Sequence, residues 1–348
     1  MKTILFTICS NNYWAQAMVL IKSAARYNPD YKFYVGLVDE KNPSIDYTAG
    51  GIAETIPVAD LNIDPKYDIF NKYGLIELNT CVKASYFKML KARHPEAELI
   101  IYLDPDIAVF DSLQRIENCA TTHDIILTPQ AVTPIPFLDD GLNPQESLFL
   151  VYGVYNIGFM GLSFIREDSE AYKMLDWWEE RILRMGFDEP CAGQFTDQLW
   201  ADLIPCYYNS VTVLRDFNLN VAPWNIHERK VSKSNARSDK FMVNDTLPIV
   251  FFHFSSYNYN NPEKVKVTYN RYTFDKHPEL LPLYQWYHTE LKQEGIEISQ
   301  KIKCIFGDVR SKGMPRKKKP IVKRILFKLV PPFVIDAYRY CRYNLFKV

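Results

Sequence analysis

Asp104 and Asp106, separated by Pro105, are the residues whose types and spacing first suggest chemistry. They interrupt the run ELIIYLDPDIAVF, residues 98–110, which is apolar on both sides of the acidic pair. Ile and Tyr among Leu, closed by a charged Pro-containing break, predict a buried strand of a parallel sheet. Pro105 fixes its own φ and biases Asp104 towards extended backbone. In extended chain, residues two apart share a side, so both carboxylates project the same way. The carboxyl end of a buried strand is where an open α/β sheet keeps its site. Paired hard oxygen ligands with no Lys or Arg beside them in sequence suit Mg²⁺ or Mn²⁺. The alternative is an Asp-Pro turn that only ends a strand. The pair alone leaves both readings open.

The elements that must position this pair follow from pattern. Residues 3–9 form a continuous apolar strand, and Ser10-Asn11-Asn12 supply cap types before a helix from Tyr13 or Trp14 to about Tyr27. Trp14, Met18, Ile21 and Ala25 make its apolar stripe, and residues 31–38 give a second strand closing at Asp39. The short polar loop of this β-α-β unit either holds the base or ribose of a nucleotide or simply caps the helix. Residues 57–71 read as irregular and 75–92 as one helix carrying Lys83, either a charge near a ligand or a solvated lysine. Residues 124–128 are a short strand, and 129–151 a long Pro-rich loop of the lid or binding-loop kind. Residues 154–164 read as a strand with Gly158 and Gly161 inside it, which marks close approach of a ligand or backbone. Residues 166–185 form an amphipathic helix, with Trp177 and Trp178 as packing material. Thr196 then caps a short helix ended by Pro205. Residues 211–214 and 247–253 are further strands; in the second, Ile249, Phe251 and His253 share a face, so His253 is either a core histidine or a ligand. Residues 277–294 form the last helix of the body.

With 348 residues and 47% hydrophobic content, the chain has enough material for one large α/β domain or two modest ones, and global disorder is excluded. Its zero net charge conceals an asymmetry. Residues 310–348 hold twelve Lys or Arg against one Asp, a net of +11, leaving the rest at −11. An acidic body with a basic tail argues for an anionic partner at the tail and against nucleic acid at the body. The cluster Arg316–Lys319 precedes residues 321–330, where Ile321, Val322, Ile325, Leu326 and Leu329 share one face. That pattern fits an interfacial helix on an anionic membrane, or a helix packed back on the body. Seven scattered cysteines without a C-x-x-C fit a reducing cytoplasm, and no apolar segment is long enough to span a membrane. The expected location is cytoplasmic, peripheral on the inner face of the membrane if the tail binds lipid.

Taken in order, these motifs resemble a family 8 type glycosyltransferase of the GT-A fold. The resemblance spans roughly residues 1–261: the first strand with Ser10-Asn11-Asn12-Tyr13, Leu103-Asp104-Pro105-Asp106, Tyr155-Asn156-Ile157-Gly158, Asp197-Gln198 and Phe252-His253-Phe254. It implies an α/β Rossmann-like nucleotide-diphospho-sugar transferase with a mixed, mostly parallel central sheet and flanking helices, plus a helical C-terminal tail. It divides the chain into a catalytic domain, residues 1–300, and a basic amphipathic tail, 301–348. It implies Asp104, Asp106 and His253 as ligands of Mn²⁺ or Mg²⁺, with Asp197 and Gln198 catalytic beside the sugar. Nucleotide-sugar contacts would come from Thr7, Ser10, Asn11, Asn12, Tyr13, Lys83, Asp104, Asn156 and Ser256. The implied partners are a nucleotide-sugar donor, with uridine the expected base, and a glycan or lipid-linked saccharide acceptor; the implied outcome is retention of anomeric configuration.

The chain departs from the family pattern at two places. Ser10 stands where an Asp is common. After His253 comes Ser255-Ser256-Tyr257-Asn258-Tyr259-Asn260-Asn261 in place of the usual Gly and Lys that contact the diphosphate, with Lys264 as a substitute. Three other functions compete. A nucleotidyltransferase wants an early Gly-rich basic loop, and residues 8–13 contain no Gly, Lys or Arg. A glycoside hydrolase wants carboxyls about 5 Å or more apart across the scissile bond, which two residues on one strand side supply badly. A non-catalytic sugar-binding protein would show no metal-dependent turnover.

Overall fold

The computed structural model describes residues 1–136, 139–234, 240–266 and 268–307. The basic tail expected over residues 310–348 lies outside them, as do Phe137 and Leu138 of the long loop. The chain builds a seven-stranded sheet from β1 (Thr3–Cys9), β2 (Lys32–Leu37), β3 (Ala53–Pro57), β4 (Leu99–Leu103), β6 (Ile125–Leu127), β7 (Phe159–Ser163) and the strand Val211–Val213. Its order is Val211–Val213, β6, β7, β4, β1, β2, β3. Only β7 runs antiparallel to its neighbours, so the expected mixed, mostly parallel sheet is present. Every residue of β1 and β4 is buried, which is why both read as unbroken apolar runs.

Helix α1 (Trp14–Tyr27) packs on this sheet, with Trp14, Met18 and Ile21 turned into the core shared with β4. Its Ala15 and Val19 enter a second core with Phe252, Phe254, Tyr284 and Tyr287, so α1 is buried on two sides and ties the late chain to the early sheet. The second core also receives the helix Leu281–Gln293, expected over 277–294.

Local structure departs from the pattern reading where side chains are short or polar. β3 adds an edge strand from AETIP, too polar to signal burial. The helix expected over 75–92 is two, Leu75–Cys81 and Lys83–Arg93, broken at Val82. The long loop contains a helix, Glu146–Tyr152. The strand expected over 154–164 is regular only from Phe159, because Gly153 at φ 113° turns the chain first. Helix Gln198–Ala201 starts from Asp197, while Thr196 sits at φ 45°; Pro205 lies inside the next helix, Ile204–Tyr207, where a first-turn proline needs no amide hydrogen. Among the described residues, no helix is long and apolar enough to cross a membrane.

Candidate active site

β4 ends in a turn at Asp104-Pro105-Asp106, closed by the Ile107 amide donating to the Asp104 carbonyl at 3.0 Å. The chain continues as β5 (Ile107–Val109), which pairs antiparallel with the strand Phe251–His253 so that His253 lies opposite Ile107. The Phe254 amide donates to the Asp106 carbonyl at 2.8 Å, which fixes this register beside the acidic turn. Phe251 and Phe252 are fully buried, each contributing roughly 2 kcal/mol of anchoring to the strand that carries the imidazole.

Two sequence-distant segments thereby bring three ligand-type side chains together. His253 Nε2 is 3.0 Å from Asp106 Oδ1 and 3.9 Å from Asp104 Oδ2. One ligand atom of each residue falls within 4.8 Å of the others. Asn156 Oδ1 lies 3.3 Å from His253 Nδ1. An amide oxygen there calls for a proton on Nδ1, while Nε2, in hydrogen-bond reach of Asp106, is the nitrogen that a divalent cation between the carboxylates would engage in place of its proton. Trp224 meets the imidazole edge-on at 5.2 Å and holds its plane. Burial pushes the Asp106 carboxyl up, but the neighbouring His253 imidazole and its hydrogen bonds outweigh this and hold it below the ordinary carboxylate value.

Gly158 keeps the centre of this cluster open. A Cβ there would lie 2.7 Å from His253 Cε1 and 2.8 Å from both Asn156 Oδ1 and Asp104 Oδ2. A glycine suits this position because the side chains of His253, Asn156 and Asp104 occupy the volume a side chain would need. The donor set and the cradle fit a hard divalent cation.

Lys83, the first residue of its helix, is 3% exposed, and so differs from a solvated lysine. Its Nζ is 2.7 Å from Asp197 Oδ2 and 3.3 Å from Asp104 Oδ1, and it donates to the Ile157 carbonyl at 3.0 Å. The acidic pair that lacked a basic neighbour in sequence has one in space. Burial pushes the Lys83 ammonium down, but Asp104 and Asp197 prevail and hold it above its usual value. Tyr102 donates to Asp104 Oδ1 at 2.5 Å, and the Trp178 indole donates to the Asp197 carbonyl at 3.2 Å. Gln198 spans two elements, donating to the Tyr152 carbonyl at 2.8 Å and accepting from the Ile157 amide at 3.3 Å.

The loop after β1 is more self-contained. Ser10 Oγ donates to the Val38 carbonyl, and the Asn11 side-chain Nδ2 donates to the Glu40 carbonyl; both residues are buried. Thr7 is buried within β1. Asn12 and Tyr13 face outward, and with Asp106, Tyr257 and Tyr287 they line a cavity of about 160 Å³. Ser256 occupies an exposed left-handed turn at φ 59°.

Two residues here escaped sequence reasoning. Asp39, at the end of the β2 segment, accepts the Asn11 amide at 3.4 Å. Lys266 is the half-buried ammonium of the late loop, while Lys264 is exposed. Its Nζ lies 3.3 Å from Ser255 Oγ, 4.5 Å from the Tyr269 ring centre and 5.7 Å from that of Trp224. Burial pushes it down to about 8, against the pull of the Asp106 carboxylate. The strand ending at Asp39 was a usable signal for the first; nothing in the spacing after His253 marked the second.

Residues 4–129 match the model of Glycosyl transferase family 8. The first third of the chain is thus similar to family 8 glycosyltransferases. The chain is 23% identical over 268 residues to the uncharacterized protein YfnF of Bacillus subtilis (strain 168), covering 75% of this chain and 83% of that one. It is 22% identical to YfnD of the same organism, covering 72% and 76%. Among solved structures, the galactosyltransferase LgtC in complex with donor and acceptor sugar analogs aligns with TM-score 0.47 at 17% identity, over 84% of this chain and 95% of that chain.

Proposed function

We propose that this glycosyltransferase moves a hexose from a nucleotide-diphosphate sugar, a UDP-sugar in the first instance, to a glycan or lipid-linked saccharide, with retention of anomeric configuration. The observation that carries the reading is the convergence of Asp104, Asp106, His253, Asn156, Lys83 and Asp197 around the side-chain-free space at Gly158. Asp104, Asp106 and His253 would hold Mn²⁺ or Mg²⁺. When bound, the cation supplies Lewis-acid stabilisation of charge on the departing diphosphate.

The chain's own groups divide the remaining work. Asn12 and Tyr13 receive the nucleoside at the outer end of the cleft. Lys266 takes the diphosphate contact that Lys264 was expected to make. Lys83 fixes Asp197 for the sugar hydroxyls and keeps Asp104 oriented. Gln198 sits beside the anomeric carbon; a neutral carboxamide is a poor nucleophile, which favours departure and attack on one face of the sugar. On the acceptor side, helix Glu146–Tyr152 has no buried residue and exposes Leu150 at 78% and Val151 at 41%, one hydrogen bond from Gln198. An apolar lip at that position suits a saccharide carried on a lipid. The basic residues 310–348 would hold the protein on an anionic membrane, and a liposome sedimentation assay with and without the tail tests that part.

The test of the main reading is nucleoside diphosphate release from a panel of nucleotide sugars, with Mn²⁺, with Mg²⁺ and with chelator. Release that needs the metal and vanishes in Asp106→Asn, with a melting temperature near wild type, is expected. Metal-independent release, or no donor bound, overturns the proposal.

A further inference from the structure

Beyond the helix Ile296–Ser299 the chain returns to the carboxyl end of β1 and lies across the loop that follows it. The Ile305 amide donates to Asp39 Oδ1 at 3.0 Å, and the Cys304 thiol donates to Asn12 Oδ1 at 3.2 Å. Phe306 packs on Phe70 with ring centres 4.6 Å apart. Gly307, at φ 85°, lies so close to the start of helix Leu75–Cys81 that a Cβ would meet Leu75 Cα at 2.6 Å. Within Ser10–Asn12, Ser10 and Asn11 are buried and Asn12 is half-buried, and its amide oxygen is the one the thiol engages.

We propose that residues 303–307 are a strap bound in cis over the nucleoside end of the donor cleft, and that a nucleoside diphosphate must displace it. This rests on the donor reading of the β1 loop given above. The chemistry of the contacts argues for competition. A wall of a nucleoside pocket presents free donors and acceptors to the ligand. This segment instead spends an N–H and an S–H on the Asp39 and Asn12 oxygens, the acceptors that a ribose hydroxyl or a base N–H would take. One oxygen lone pair cannot serve both well. The contacts that bear on the nucleoside loop are single ones, the Ile305 amide on Asp39 and the Cys304 thiol on Asn12, so a ligand taking those two oxygens would compete with them directly. A pre-occupied site raises the apparent dissociation constant by the reciprocal of the fraction of time it is open, so a strap closed about nine-tenths of the time would weaken binding about tenfold.

The test uses the full chain with Mn²⁺ and UDP, with ADP, GDP and CDP alongside, by titration calorimetry. Ile305→Pro removes the amide that meets Asp39; Phe306→Ala with Gly307→Ala unseats the segment without touching Asp39 or Asn12. Each is expected to tighten UDP binding about five- to tenfold. In wild type, saturating UDP should also raise the alkylation rate of Cys304 several-fold, read by peptide mass spectrometry. Unchanged or weaker binding in the variants, or protection of Cys304 by UDP, overturns the strap and makes the segment part of the site. If no nucleotide binds to wild type or to any variant, while all melt alike and Cys304 labelling ignores every nucleotide, the donor reading fails and the strap with it.

Discussion

Lys266→Met is expected to make the ligand-free protein more stable and the nucleotide-bound protein weaker. The Lys266 ammonium is half-buried against Trp224 and Tyr269, and burial brings its pKa from 10.5 to about 8. That fall corresponds to about 3 kcal/mol for keeping the charge in the folded state at pH 7, and residual solvent access brings it nearer 2. The sign follows from proton counting. Below about pH 8 both folded and unfolded chains carry the proton, so the whole cost is present. Between about 8 and 10.5 the unfolded chain binds more protons, and stability from this group rises with pH. Methionine removes the cost and keeps most of the packing. Melts from pH 6.5 to 10 should therefore show the variant a few degrees higher at neutral pH, with the gap closing on the alkaline side. A diphosphate near Lys266 restores its charge, so UDP binding with Mn²⁺ at pH 8 should take up a fraction of a proton, seen as a buffer-dependent calorimetric enthalpy. The variant should lose that uptake and bind UDP roughly ten- to a hundredfold more weakly, the loss of one charge-assisted contact. A variant that is less stable at neutral pH, and that binds UDP as wild type does, refutes this role.

Gly158→Ala should abolish Mn²⁺ binding followed by electron paramagnetic resonance, at a stability loss of about 1–3 kcal/mol, because its methyl group collides with three side chains of the site; an unchanged Mn²⁺ affinity would count against the cradle. Lys83→Met leaves Asp197 buried without its ammonium and should cost about 3–5 kcal/mol in urea unfolding. Adding Asp197→Asn should recover part of that loss, and simple additivity of the two losses would mean the pair is not coupled. Leu150→Ser with Val151→Ser should lower the ratio of kcat/KM for octyl over methyl glycoside acceptors about tenfold; an unaltered ratio would remove the apolar lip from acceptor recognition.

What was legible in the sequence was local and strongly patterned. The run ending at Asp104, the helix starting at Trp14 and the glycine at residue 158 each declare themselves within a dozen residues, because buried strands and amphipathic stripes are short-range patterns. Lys83 was ambiguous because the break at Val82 carries no glycine or proline, and a lysine at a helix start looks solvated until Asp104 and Asp197 are brought to it. Lys266 was passed over because the loop after His253 folds back on itself, so distance along the chain misleads about distance in space. β3 was missed because an edge strand can be polar without penalty. The helix Glu146–Tyr152 was hidden by its surroundings: seven residues within a Pro-rich stretch give too short a period to read.

The antiparallel pairing of β5 with Phe251–His253 also sets the order in which the molecule becomes competent. The segment that matches the family ends at residue 129 and contains both carboxylates but not the imidazole, which arrives more than a hundred residues later. A chain emerging from the ribosome would display an acidic turn without the His253 imidazole until the final core had condensed on α1. On the proposed cation site, tight cation capture would become a signature of completed folding, a refolding reporter that stays silent for any fragment lacking the C-terminal half. Because the two partners are so far apart in sequence, closing this contact belongs to the slow, non-local stage of folding.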